Sequence, residues 1–224
     1  MRTYTAPSGP DSINNEDDAR KSAEVVLTDL SESGFSTEFN GFVVACYSVH
    51  PLTTSLKSLI PAKYHVPVIG IFEASVSTAL SLLPPPCSGC IKKFGIVTTG
   101  KYWEDTLTHG VLNFLGCDSL AFCKRFKAVE STGLSAAELH TSPPSEVRYR
   151  MIKATKRLLK DRDVNVICLG CAGMAGMDTI VREACVEELG EEEGKHVHII
   201  DGVKAGIALV DGLVRASFSD RNES

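Results

Sequence analysis

The sequence lacks the long apolar run that a membrane-spanning helix requires. No stretch of the 224 residues approaches the roughly 20 consecutive apolar residues needed to cross a bilayer. The N-terminal residues also lack the features of a signal peptide or a transit peptide. These absences predict a cytoplasmic protein that has no membrane partner.

Clusters of basic residues are missing as well. Lys and Arg total 23 against 28 Asp and Glu, which gives a formal net charge of −5. A modest negative charge without a basic patch does not favour nucleic acid as a partner. The hydrophobic content of 43% and the charged content of 23% are ordinary for a globular protein.

Cysteine is abundant, but the ligand pattern of a structural zinc site is missing. Cys87-Ser-Gly-Cys90 has C-x-x-C spacing, yet no second pair lies at a distance that would complete four ligands. The pair follows three prolines and does not open a helix, so we favour an interdomain hinge, with a thiol-redox site as the alternative. No metal site is predicted. Four further cysteines lie in apolar or amphipathic stretches and are predicted to be core residues: Cys117, Cys123, Cys168 and Cys185.

The two remaining cysteines of interest each follow an apolar run. Cys46 follows Gly-Phe-Val-Val-Ala, Cys171 follows Asn-Val-Ile-Cys-Leu-Gly, and small or polar residues come next. Such runs predict strands buried in a parallel sheet, whose carboxyl edge binds ligands. Two thiols at such edges predict an acid and a base that face one cleft. We also expect a helix N-terminus near each thiol to lower its pKa from about 8.5, and His50 to contact Cys46 across one helical turn.

The two cysteine segments belong to a longer repeat. Cys46 and Cys171 are 125 residues apart, and two later apolar pairs, Val68-Ile69 and Ile199-Ile200, are 131 residues apart. Strands that alternate with helices predict an α/β fold of two pseudo-symmetric half-domains, each a parallel sheet flanked by helices, with the active site in the cleft between them. The predicted half-domains are residues 1–90 and 91–204, and a C-terminal helix at 205–218 packs back on the first.

The second half contains elements that the first half lacks. It opens with a predicted strand at 93–100 and a helix near 103–115, followed by a strand near 120–126 and a helix near 146–160. The first half has no counterpart of that opening strand and helix before its own helix at 17–30. We therefore expect either that the first half is built differently, or that the chain starts after the first βα unit of the repeat.

The chain resembles the aspartate/glutamate/hydantoin racemase superfamily, and within it the hydantoin and allantoin racemase branch. The similarity extends over nearly the whole chain. The matching stretches are Tyr-Thr-Ala-Pro-Ser-Gly-Pro-Asp-Ser-Ile (4–13), Gly-Phe-Val-Val-Ala-Cys-Tyr-Ser (41–48), Val-Ile-Gly-Ile-Phe-Glu-Ala-Ser (68–75), Phe-Gly-Ile-Val-Thr-Thr (94–99) and Leu-Gly-Cys-Ala-Gly-Met (169–174). In this comparison the chain resembles a family member without roughly its first 25–30 residues, about one βα unit.

The resemblance implies a cofactor-independent racemase in which Cys46 and Cys171 are the catalytic acid and base. In the amino-acid racemases of the superfamily the cysteines are typically followed by the polar pairs Asn-Thr and Thr-His, which hold a carboxylate and an ammonium group. The residues that follow here carry little side-chain charge, which suits a neutral cyclic ureide such as a 5-substituted hydantoin or allantoin. The implied substrate-binding residues are Tyr47, Ser48, Thr98, Thr99, Ala172, Gly173 and Glu73. Four of them (Tyr47, Ser48, Ala172 and Gly173) are expected to present backbone N–H groups to an enolate. A homo-oligomer is a possible assembly, and the alternative function is a truncated, non-catalytic homologue that binds a small ligand or a partner.

Overall fold

The strands of the protein form two separate parallel sheets. The structure is a computed structural model that describes residues 1–33, 39–61, 65–86 and 91–216. Within these residues the strands are β1 (Phe42–Val44), β2 (Val68–Gly70), β3 (Lys93–Thr98), β4 (Phe126–Ser131), β5 (Val164–Leu169) and β6 (His198–Asp201). The helices are α1 (Glu16–Ser33), α2 (Pro51–Leu59), α3 (Ile71–Leu82), α4 (Tyr102–Leu115), α5 (Glu138–Thr141), α6 (Pro144–Leu159), α7 (Asp178–Leu189), α8 (Glu191–Gly194) and α9 (Gly202–Ala216). The predicted α/β class, with parallel sheets flanked by helices, is confirmed.

The larger sheet has the strand order β4-β3-β5-β6, and all neighbouring strands are parallel. Strand β5 alternates its side chains between two cores: Val166 and Cys168 lie in one, and Ile167 and Leu169 lie in the other. Helices α6 and α7 contribute to the second core, while α3 and α4 contribute to the first. Because both faces are covered, this strand can be apolar along nearly its whole length.

The smaller sheet pairs β1 with β2, and Val44 lies opposite Gly70 at its carboxyl end. Helices α1 and α2 pack together on this sheet through a core that includes Val26, Leu52 and Val68. Helix α9 also contacts both of its strands. Short buried strands of this kind gain their stability from the helices that cover them, since two strands alone are marginal in water.

Helices α3 and α9 connect the two sheets. Helix α3 contacts β2, β5 and β6, and α9 contacts β1, β2 and β6. Tyr47, just after β1, packs edge-on against Phe72 of α3 with the ring centroids 5.8 Å apart, and both rings share a core with Cys168 of β5. This shared core holds the carboxyl ends of β1 and β5 near one another. The division of the chain at residues 90 and 91 stays a prediction, as does the role given to the helix at 205–218, which is described only as far as Ala216.

The strand expected near residues 120–126 is wrong. The backbone N–H groups of Phe122 and Cys123 donate to the carbonyls three residues earlier, so this segment forms turns, and β4 begins only at Phe126. Leu120 and Phe122 are 42% and 75% exposed. These two apolar residues therefore lie in a surface turn and not in a buried strand, and β4 follows this turn directly.

Two other expectations concern membranes and the Cys87–Cys90 pair. Of the helices in the described ranges, none combines the length and the apolar character needed to cross a membrane. Cys87 and Cys90 lie outside the described residues. The choice between hinge and redox site therefore stays open.

Candidate active site

Cys46 and Cys171 follow two strands of different sheets. Cys46 lies in the turn after β1, and Cys171 lies two residues beyond the end of β5. Both thiols are partly buried. Charge on Cys171 raises the pKa of Cys46, which means that the two side chains lie within electrostatic range of each other. The structure thus brings together the two thiols that the sequence places 125 residues apart.

The Cys46 thiol is held in a tight polar turn. Its Sγ lies 3.4 Å from Ser48 Oγ, and the Ser48 N–H donates to the Cys46 carbonyl at 3.0 Å. Burial raises the pKa of Cys46 to about 11; the Ser48 hydroxyl opposes this shift, and the Cys171 charge adds to it. Because the Ser48 N–H is already used within the turn, it is the hydroxyl of Ser48 that can interact with a thiolate.

The Cys171 thiol lies at the start of a 3₁₀ turn, Ala172–Met174. Burial raises the pKa of Cys171, and the backbone N–H groups of Gly173 and Met174 partly offset this effect. The expected lowering of both thiol pKa values is therefore wrong, because desolvation disfavours the thiolate more than backbone dipoles favour it. At Cys46 no helix follows directly, since α2 begins only at Pro51.

His50 does not share a helix with Cys46, contrary to expectation. It is the N-cap of α2, and its Nδ1 accepts a hydrogen bond from the Leu52 N–H at 3.3 Å. Burial lowers the pKa of His50, so the buried imidazole is neutral near pH 7. His50 therefore supplies a helix cap and not a positive charge for the thiolate.

Thr98 and Thr99 lie at the carboxyl end of β3, and both are buried. The Thr98 hydroxyl donates to the Gly170 carbonyl at 2.8 Å, and the Gly170 N–H donates to the Val97 carbonyl at 2.7 Å. Thr98 thus fixes the turn that carries Cys171. A direct contact between either threonine and a substrate ring stays a prediction.

Tyr47 and Glu73 differ in what they can offer to a ligand. The Tyr47 side chain is buried in the core against Phe72, so any contact with the cleft comes from its backbone. Glu73 lies in the first turn of α3, where burial raises its pKa. Its Oε2 is buried and, among the described residues, has no hydrogen-bond partner. A carboxyl group in this state can act as a donor to a ligand as well as an acceptor.

His140 is a residue near the site that sequence reasoning missed. The short helix α5 packs against the 3₁₀ turn after Cys171. A Cβ placed on Gly173 would lie 3.1 Å from His140 Nε2 and 3.6 Å from Cys171 Sγ. The only sequence signal is a histidine in the segment after β4, at the same edge of the sheet as Cys171.

The site offers few ligands for a metal ion. Within the described ranges, no group of three or more His, Cys, Asp or Glu side chains is arranged to hold one. The polar groups shown beside the thiols are the Ser48 hydroxyl at Cys46, and the backbone N–H groups of Gly173 and Met174 with the His140 imidazole at Cys171. Such a set suits the binding of a small polar molecule and the transfer of protons.

The two partly buried thiols lie just beyond the carboxyl ends of strands from two different parallel sheets, and the sequence comparisons identify the class of protein. The chain belongs to the Asp/Glu/Hydantoin racemase family, whose model matches residues 1–210. It is 35% identical over 209 residues to the uncharacterized protein C1F7.10 of Schizosaccharomyces pombe, covering 93% of this chain and 76% of the relative.

Two solved structures share the fold. The chain superposes on an allantoin racemase from Pseudomonas fluorescens with a TM-score of 0.73 at 24% identity, covering 97% of this chain and 80% of that one. The second is an allantoin racemase from Klebsiella pneumoniae, with a TM-score of 0.68 at 26% identity, covering 94% of this chain and 74% of that one. Family membership supports a racemase that acts on a small molecule.

Proposed function

We propose that the protein is a cofactor-independent racemase of cyclic ureides, either 5-substituted hydantoins or allantoin, with Cys46 and Cys171 as its two bases. One observation carries the proposal: two partly buried thiols from different sheets lie close enough that ionisation of one affects the pKa of the other. This coupling disfavours simultaneous ionisation of both thiols, so one stays a proton donor when the other is a thiolate, as a reaction with one base and one acid requires.

The chemistry follows from that state. The thiolate removes the proton from ring carbon 5, the C–H bond electrons move to the adjacent carbonyl, and an enolate forms. The opposite thiol then gives its proton to the other face of the carbon, which regenerates the carbonyl and leaves the second sulfur as the thiolate. The carbonyl acidifies the carbon, so the step needs no cofactor.

The expected ligand is a neutral ring. The residues that follow the two cysteines, Tyr47-Ser48 and Ala172-Gly173, bear no charge. Among the described residues, no cationic side chain contributes to the pKa of either thiol. A free amino acid would bring both a carboxylate and an ammonium group, and burying these charges beside two uncharged turns is costly, whereas a ureide needs only hydrogen bonds. The resemblance to two allantoin racemases supports the same class of substrate.

The enolate needs donors close to the sulfur atoms. The N–H groups of Gly173 and Met174 point towards Cys171 Sγ, so a substrate oxygen bound beside that thiol would lie near the same donors. The carboxyl group of Glu73, whose pKa is raised by burial, is a further donor when protonated. Ala172, Thr98 and Thr99 are the remaining residues that we propose to line the substrate-binding cleft.

The test follows enantiopure (S)-allantoin and an enantiopure 5-substituted hydantoin in D₂O. Optical rotation reports racemisation, and loss of the ring C–H signal by NMR reports exchange, both against an enzyme-free blank. We expect rates well above the blank for the unmodified protein. Cys46→Ala and Cys171→Ala should each abolish racemisation, while each keeps exchange for the one enantiomer whose proton faces the remaining thiol.

The matched control is Cys117→Ala, because Cys117 is a partly exposed thiol outside the cleft, just after α4. Its racemisation rate should stay within twofold of the unmodified protein. Absence of any rate above the blank from folded protein would contradict the proposal. In that case, calorimetric binding of the same ureides without exchange would support the alternative, a ligand-binding protein without catalysis.

A further inference from the structure

His140 is held beside the 3₁₀ turn by local structure. Ser135 and Glu138 exchange hydrogen bonds at the start of α5: the Ser135 N–H donates to Glu138 Oε2 at 2.7 Å, and the Glu138 N–H donates to Ser135 Oγ at 3.3 Å. The next residue, Leu139, is only 4% exposed and shares a core with Met174 of the 3₁₀ turn. This reciprocal cap and this anchor fix the position from which the imidazole extends.

Gly173 leaves room between the imidazole and the thiol. A Cβ on Gly173 would approach His140 Nε2 to 3.1 Å, which is tighter than ordinary van der Waals contact, and Cys171 Sγ to 3.6 Å. The ring nitrogen and the sulfur are therefore separated by less than the sum of these two distances. A single water molecule or a substrate atom can connect groups at such a separation.

The Cys171 thiol needs a partner for its proton. Burial opposes its ionisation, and the groups that favour the thiolate are two backbone N–H groups, of Gly173 and Met174. During racemisation the thiol receives a proton from the substrate in one direction and must exchange it with solvent before the next cycle in that direction. His140 is exposed to solvent, and its Nε2 faces the 3₁₀ turn.

We propose that His140 accepts the proton of the Cys171 thiol and passes it to solvent. In this step the S–H bond of Cys171 breaks and an N–H bond forms at Nε2, in the tautomer that carries its own proton on Nδ1. The products are a thiolate and an imidazolium, and the imidazolium then gives one proton to water. The proton exchange between thiol and imidazole does not depend on the proposed racemase function, but its use in catalysis does.

The experiment measures the reactivity of Cys171 without a substrate. Iodoacetamide alkylates the thiolate, with iodide as the leaving group, and peptide mass spectrometry separates Cys171 from the other cysteines. At pH 7.5 we expect His140→Asn and His140→Ala to slow alkylation of Cys171 by about tenfold or more, because the imidazole no longer accepts the thiol proton as the sulfur reacts. Alkylation of Cys46 should change by less than twofold, and free imidazole should restore part of the rate in His140→Ala.

His196→Asn is the matched control, because His196 is also an exposed histidine but belongs to a later segment of the chain than His140 and Cys171. Gly173→Ala is a second perturbation, since the new methyl group must push the imidazole aside, and it should also slow the alkylation. Unchanged or faster alkylation of Cys171 in both His140 variants would overturn the proposal, because loss of a merely covering side chain exposes the thiol and speeds its reaction.

The two proposals fail in distinguishable ways. Slower alkylation in the His140 variants with no racemisation by the unmodified protein would sustain the thiol–imidazole exchange and contradict the racemase. Racemisation by the unmodified protein, together with unaltered alkylation of Cys171 in the His140 variants, would support the racemase and contradict the thiol–imidazole exchange. If both hold, His140→Asn should lower kcat for racemisation and leave KM nearly unchanged, since the proton exchange does not contribute to substrate binding.

Discussion

Replacing Gly170 with alanine tests how the fold positions Cys171. Gly170 lies between β5 and Cys171 and takes part in two short hydrogen bonds, to Val97 and from Thr98. A Cβ at this position would lie 2.7 Å from Ile96 Cγ2 and 2.9 Å from both Thr98 Cβ and the Val97 carbonyl oxygen. These neighbours are backbone and β-branched side chains within a buried sheet, so they cannot move aside cheaply.

The size of the effect can be worked from this geometry. Overpacking in a buried site costs about 1–3 kcal/mol of unfolding free energy. For a chain of this size, 1 kcal/mol corresponds to roughly 2–4 °C in Tm, so Gly170→Ala should lower Tm by roughly 2–12 °C. Relief of the clash also shifts the turn, and a displacement of about 1 Å at a reacting group can reduce the rate on the order of 100-fold.

The assay combines thermal unfolding with racemisation in D₂O for two variants. Gly100→Ala is the matched control, because Gly100 also follows a strand at the carboxyl edge of the same sheet, yet a Cβ there would have nothing within 4 Å. Its unfolding free energy should change by less than about 0.5 kcal/mol. Equal Tm values for the two variants would refute the reasoning, since close packing around Gly170 would then have no energetic consequence.

Three further predictions concern hydrogen bonding and pH. Thr98→Val keeps the side-chain shape but removes the donor to the Gly170 carbonyl, so urea unfolding should show a loss of about 1–3 kcal/mol, and unchanged stability would contradict this bond. Because the pKa of Cys46 and of Cys171 is raised, kcat/KM for racemisation should increase about tenfold between pH 7 and 8; a flat profile would argue against a thiolate base. Burial raises the pKa of Cys168 to about 12. Above about pH 8.5 the unfolded chain therefore loses the Cys168 proton while the folded chain keeps it, and the free energy of unfolding falls as pH rises. Urea unfolding between pH 8 and 10 should show that Cys168→Ala flattens this fall by up to about 1.4 kcal/mol per pH unit; equal slopes would count against a protonated, buried thiol.

Local sequence patterns predicted the elements that carry the site. The apolar run before Cys171 predicted β5, and the structure places this strand between two others with both faces covered. The segment near residues 146–160 was likewise predicted to be helical, and helix α6 spans Pro144–Leu159. Such signals are readable because the burial of a strand or of one helix face requires apolar residues at fixed spacing along the chain itself.

Patterns that depend on surroundings were less informative. The apolar letters of Leu120 and Phe122 suggested a strand, but both side chains are exposed in turns. His50 was expected to act on Cys46, whereas it caps the helix that follows. In both cases the residue type is compatible with two environments, and only the path of the chain selects one of them.

What the sequence by itself determined is the chemical inventory: two thiols at the ends of apolar runs, uncharged residues next to them, and the family to which they belong. What only the tertiary structure decided is how these groups affect one another. Burial raises the pKa of both thiols, Thr98 bonds the turn of Cys171, and His140 approaches from a different segment. The physical reason is that desolvation and Coulomb interaction depend on distances through space, which folding sets between residues that are far apart in the chain.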